Sequence, residues 1–203
     1  MASIAGHRPA GHPPSVPPLD RTPTGRLPHT AAPSVRYDYE RLLTADKLTT
    51  GELDYLIGRE GRNSGPGWLA ETYGDGKIEA ATVAALIGGI WSGTDFPDRD
   101  LDRDTWRWLF KVAGFTIDGE PAERPTQPVL LWRGSVPERR TDWSWSTDRA
   151  VAERFAAGSG GRPPGRVYTV LAPPHALLCA YNGRSEAEYV VDTDGLNIIE
   201  ADR

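Results

Sequence analysis

From Tyr37 to about Phe115 the apolar positions fall three or four residues apart, the period of helices with one buried face. Tyr37, Tyr39, Leu42 and Leu43 predict a short amphipathic helix ending near Lys47. Thr49 and Glu52 have capping-box spacing ahead of Leu53, Leu56 and Ile57, which predicts a second helix start. Gly61–Gly67 is a loop by its glycine, asparagine, serine and proline content. Ala80–Trp91, with Val83, Leu86, Ile87 and Ile90, is apolar around most of its circumference and predicts a helix buried on more than one side. A last helix of this half runs from about Asp102 to Ala113, with Trp106, Leu109, Phe110 and Ala113 inward. After Gly114 the period shortens. Residues 129–132, 143–145, 167–171, 189–191 and 196–199 are short runs rich in β-formers, interrupted by one helix from Asp148 to Ala157. Helices first and strands afterwards predict an α+β fold rather than an alternating α/β one.

Composition divides the chain further. Eight of its 18 prolines lie in the first 33 of 203 residues, so residues 1–36 read as a flexible Pro-rich tail that buries too little to offset its ordering entropy. Residues 37–203 then form a single domain, helical over 37–115 and β-rich over 116–203. The tail holds four arginines and one aspartate; taking these from the 23 basic and 28 acidic residues leaves a body with 19 and 27, a net of −8. Such a body argues against nucleic acid as a general ligand, because neutralising phosphates needs a basic surface. A single cysteine, Cys179, excludes an internal disulfide or a multi-thiolate metal site. His7, His12 and His29 lie in the tail, which leaves His175 alone in the folded part and no histidine-rich metal site. No apolar run is long enough to cross a bilayer, and the first residues lack the pattern of a secretory signal, so a cytoplasmic protein without membrane partners is expected.

Several patterns fail on inspection. The aspartates between Asp98 and Asp104 have Arg103 and Leu109 where a calcium loop needs Gly and Glu, and read as a solvated loop that caps the next helix. Gly76-Lys77 lacks the rest of a phosphate-binding loop, and Gly158–Gly161 follows a helix rather than a strand. Cys179 and His175, four apart around an apolar run, read as a buried thiol and an ordinary loop histidine.

Three elements of the β-rich half carry chemistry. Leu130–Gly134 is an apolar strand ending in Arg133-Gly134, where a guanidinium can grip a pyrophosphate and the glycine permits close approach. Trp143–Asp148 alternates so that Ser144, Ser146 and Asp148 share one face and Trp145 and Thr147 the other; Thr147 or Asp148 is also a sound N-cap for the helix that follows. Arg184–Val191 carries Glu186 and Glu188 two apart at the start of an apolar strand, so both carboxylates are expected on one face. Two like charges beside a core are costly unless a ligand or counter-charge uses them.

In order, spacing and strand context, Arg133, Ser146-Thr147 and Glu186-x-Glu188 resemble the mono-ADP-ribosyltransferases of the Arg–Ser–Glu, cholera-toxin-like class. The phrase from Ser146 to Ala156 is especially similar, and the resemblance covers about residues 128–200. It implies a two-sheet β core that takes NAD as substrate, with no metal, and an arginine of a target protein as acceptor. By the same resemblance Arg133 holds the phosphates or the nicotinamide-side ribose, with Gly134 beside it. Ser146 orients the catalytic Glu188, Thr147 shapes the nicotinamide pocket, and Glu186 and Tyr181 meet the target. Arg162 or Arg166, in the loop after Gly158, would lie near a phosphate. Asp148 departs from the family's third serine or threonine. An NAD glycohydrolase, a noncatalytic binding module on the same scaffold and a nucleic-acid acceptor are the alternatives, and the oligomeric state is left open.

Overall fold

The computed structural model describes residues 37–158 and 163–201. The expected tail, residues 1–36, lies outside the described residues, as does Arg162. Six helices precede the strands among the described residues: α1 (Tyr39–Leu43), α2 (Thr50–Glu60), α3 (Gly65–Gly74), α4 (Ala80–Gly93), α5 (Pro97–Asp100) and α6 (Arg103–Ala113). The Thr49 hydroxyl accepts from the backbone N–H of Glu52 while the Glu52 carboxylate accepts from that of Thr49, so α2 starts on the expected capping box. Asp102 caps α6 by accepting from the N–H groups of Asp104 and Thr105. The stretch expected as a loop from Gly61 to Gly67 is a 3-10 turn followed by the first turn of α3. Pro66 explains the start, since its fixed φ and missing N–H suit the first helical turn.

The strands are β1 (Thr116–Ile117), β2 (Glu120–Pro121), β3 (Val129–Ser135), β4 (Ser144–Ser146), β5 (Arg166–Ala172), β6 (Leu177–Tyr181), β7 (Glu188–Val191) and β8 (Ile199–Glu200), with α7 (Arg149–Ala156) between β4 and β5. They form one mixed sheet in the order β2-β1-β6-β7-β4-β3-β5-β8, parallel only between β1 and β6. The fold is therefore α+β, but hydrogen bonding joins all eight strands instead of dividing them between two sheets. The join is narrow: β3 and β4 share the single register pair Trp132↔Ser146.

Register assigns the faces. Ser144 pairs with Val190, and Ser146 with Glu188, whereas Trp145 pairs with Tyr189. Val190, with Trp143 and Cys179, joins the core made by the helices around Leu53, Leu69, Val83, Ile87 and Leu109. Trp145, Tyr189 and Val191 join a second core with Leu131, Tyr168 and Val170. Ser144, Ser146 and Glu188 thus share the face toward which the helices pack. Trp91 of α4 stacks on Trp143 at 5.5 Å between ring centroids and meets Trp106 of α6 edge-on at 4.9 Å, fixing the ends of both helices over the sheet. No helix among the described residues is long and apolar enough to cross a membrane.

Candidate active site

A cavity of about 490 Å³ opens between the C-terminal end of α4, the residues after it, β3, β4, α7 and the loop from β6 to β7. Its size is ordinary for a small-molecule pocket, roughly 300–1,000 Å³. Arg133, Gly134, Ser146, Glu186 and Glu188 all line it, although they come from three separated stretches of chain. Thr147 and Tyr181 do not. Thr147 is exposed, and its backbone N–H donates to the Ala187 carbonyl. Tyr181 ends β6 with its ring against Gly88 and Gly89 of α4, so the aromatic expected to meet a target is packing on a helix.

Glu188 opens β7 and is 7% exposed. Burial pushes its carboxyl above the ordinary glutamate value; the Ser92 and Ser144 hydroxyls work against this, Glu186 adds to it, and Arg184 opposes it. Ser146 is not the partner expected from the resemblance. Its hydroxyl donates to the backbone carbonyl of Glu186 at 2.7 Å and accepts from the N–H of Asp148 at 2.9 Å, so it ties the Glu-bearing loop to the start of α7. Asp148 itself accepts from the N–H of Ala150 as the N-cap of α7.

Glu186 and Glu188 reach the cavity together, but not by strand alternation. The strand begins only at Glu188, and Ser185 and Ala187 before it have φ of 57° and 44°. Left-handed backbone at a non-glycine residue costs on the order of 1–2 kcal/mol. Two of the three non-glycine residues with positive φ among the described residues thus lie in the turn that aims these two carboxylates; the third is Asp118.

Arg133 is spent differently from the expectation. Nη1 donates to the Ser144 carbonyl at 2.6 Å, Nε to the Arg139 carbonyl at 3.0 Å, and Nη2 to the Asp142 carboxylate at 2.9 Å. Three of the five guanidinium donors therefore hold the cavity wall, and two remain. Burial lowers its pKa to about 10, against the opposing pull of Asp142, and the group stays cationic at neutral pH. Asp142 also accepts from Arg139 at 2.7 Å, and Arg139 reaches Asp98 at 3.2 Å while lying over the Phe96 ring. Gly134 makes room for a helix: a Cβ there would overlap the Ala152 carbonyl oxygen and the Ala156 nitrogen of α7.

No family model, curated protein or solved structure matches this chain. Arg166 pairs with Glu200 at 2.6 Å across β5 and β8, away from the phosphate role expected of it. Among the described residues no group of three or more His, Cys, Asp or Glu is arranged to hold a metal ion.

Sequence reasoning did not single out Ser92, Arg184 or Asp142 as site residues. Ser144 was legible, because alternation with Ser146 puts it on the same face. Ser92 carried only a weak signal, a polar residue at the end of an apolar helix; its neighbourhood arises from packing between segments 96 residues apart.

Proposed function

We propose that the chain is an NAD-dependent mono-ADP-ribosyltransferase that modifies arginine on a target protein. One observation carries the reading: Arg133, Ser146, Glu186 and Glu188, set apart in the sequence as an ordered motif, line one cavity whose innermost carboxylate is buried. Breaking the bond between nicotinamide and ribose releases neutral nicotinamide with the bonding electron pair and leaves oxocarbenium character on the sugar. A fixed, ionised Glu188 stabilises that charge more in the transition state than in the ground state. An acceptor guanidinium forms the new bond to C1′ and loses one proton, for which Glu186 is the adjacent base. The two free donors of Arg133 supply positive charge for the anionic part of the substrate. The resemblance extends the proposal to a fold of the ADP-ribosyltransferase kind and to a cytoplasmic setting.

The deciding experiment incubates the purified protein and Glu188→Gln with NAD and a cell lysate, following nicotinamide release and mass-spectrometric adducts. Release falling about 100-fold or more in the variant, with an arginine adduct made only by the native protein, is the expected result. Unchanged release by Glu188→Gln overturns the assignment. Release without any adduct makes water the acceptor and the protein a glycohydrolase.

A further inference from the structure

The end of α4 meets the cavity through two polar links and one unpartnered hydroxyl that the motif does not account for. The Ser92 carbonyl accepts from Nη1 of Arg184 at 2.6 Å, which ties the helix end to the loop carrying Glu186. Nε1 of Trp91 donates to the Ser144 hydroxyl at 3.0 Å. The Ser92 hydroxyl lines the cavity, is buried, and has no hydrogen-bond partner of good geometry. A serine oxygen that accepts from an indole keeps its own proton for donation, and an unpartnered buried hydroxyl costs about 1–3 kcal/mol unless it finds an acceptor. Two hydroxyl protons, one from α4 and one from β4, thus border a cavity wall that presents one buried carboxylate, Glu188.

We infer that Ser92, acting with the Trp91-supported Ser144, is the positioning residue of Glu188, in place of the motif serine Ser146. The inference deepens the transferase reading and rests on it for its kinetic consequence. Ser146 has both its hydrogen-bonding roles filled, toward the Glu186 carbonyl and the Asp148 N–H, so it shapes the loop rather than the carboxylate. A donor contributed by α4 makes the helical half part of the catalytic apparatus. The other groups around Glu188 are few: Glu186 and Arg184 from the loop before β7, Arg133 from β3, and Cys179 and Tyr181 from β6. Burial raises the Cys179 thiol, which therefore stays neutral. Helix α4 and strand β4 contribute no charged residue. Of the groups in this set that favour the carboxylate, the two serine hydroxyls do so without adding charge near the substrate, whereas Arg184 does so as a cation.

The test uses Ser92→Ala, Ser92→Thr and Ser144→Ala in the full chain, with two readouts. The first is the ¹³C carboxyl titration of Glu188 by NMR, which needs no turnover. Ser92→Ala is expected to raise the ratio of neutral to ionised carboxyl about tenfold at a given pH, because a hydrogen bond to a charged group is worth roughly that factor or more. Ser92→Thr, which restores a hydroxyl, returns the native titration. The second readout is kcat for nicotinamide release against pH: the acid limb of Ser92→Ala moves up by about one pH unit, with kcat lowered up to about tenfold on that limb, while KM for NAD stays within about twofold. A Glu188 titration unchanged by Ser92→Ala in a folded protein overturns the inference. A shifted titration in a protein that releases no nicotinamide keeps the positioning and removes the transferase reading.

Discussion

Glu188 is a carboxylate buried beside another carboxylate, and both circumstances favour its neutral form. Its folded-state pKa therefore lies above the ordinary 4.5, and between those two values the native state binds more protons than the unfolded chain. Stability must then fall as pH rises through that window, by about 1.4 kcal/mol for each pH unit separating the two pKa values. Glu188→Gln removes the ionised form, so its melting temperature is expected to exceed that of the native protein at pH 8. The difference closes as pH falls below the ordinary glutamate value. Thermal melts of both proteins from pH 4 to 8 check this, and a gap independent of pH contradicts it. The residue most needed for the proposed chemistry is then one the fold tolerates at a cost. Sequence spacing found this carboxylate and its neighbour, because two glutamates before an apolar run are conspicuous. The resemblance, not the spacing, assigned Ser146 to orient Glu188; Ser144 and Ser146 share a face, and the Ser146 hydroxyl donates to the Glu186 carbonyl.

Elements set by local chemistry were legible in the sequence, and those set by packing were not. The Thr49–Glu52 capping box and the Asp102 N-cap lie where the residue types put them, and of the two candidates before α7, Thr147 and Asp148, it is Asp148 that caps. Strand β6 was not anticipated: Leu177–Tyr181 has no β-branched residue and becomes a strand because β1 and β7 pair with it on either side. Gly134 shows the same division. An Arg-Gly strand end suggested room for a ligand, yet the missing Cβ admits the backbone of α7 against β3. Gly134→Ala is accordingly a stability variant. The new methyl meets backbone rather than a movable side chain, so α7 must shift, and a loss of about 3 kcal/mol or more is expected. Urea unfolding followed by tryptophan fluorescence measures it. A loss below about 1 kcal/mol would mean that α7 yields easily and that the glycine serves something else.

At the scale of the whole molecule, one of the two hydrophobic cores is built jointly by the helical and the β-rich parts. Trp143, Cys179 and Val190 belong to the cluster built by the helices, and Trp143 is stacked on Trp91. Polar contacts cross the same boundary. Arg107 of α6 donates to Asp192 from Nε at 2.7 Å and also bonds Asp194, while Arg103 reaches Asp194 at 3.2 Å. Burial pushes the Asp192 carboxyl up, but the hydrogen bonds from Arg107 and the Asp194 N–H, with the charges of Arg107 and Arg103, together outweigh it, and the net pKa is lowered. That contribution to stability is present above the ordinary aspartate value and is lost as pH falls through the lowered one. Residues 37–203 were expected to form a single domain, helical over 37–115 and β-rich over 116–203, and the shared packing ties those two parts together. A fragment of residues 116–203 would leave Trp143, Cys179 and Val190 without their helical neighbours, and losses of about 2–5 kcal/mol for each large side chain stripped of its packing exhaust a total stability of roughly 5–15 kcal/mol. The fragment is expected to lack a cooperative melting transition, while residues 37–203 show a single one. A cooperative transition in the isolated fragment would show the sheet to be self-sufficient and reduce the helices to a support for Glu188.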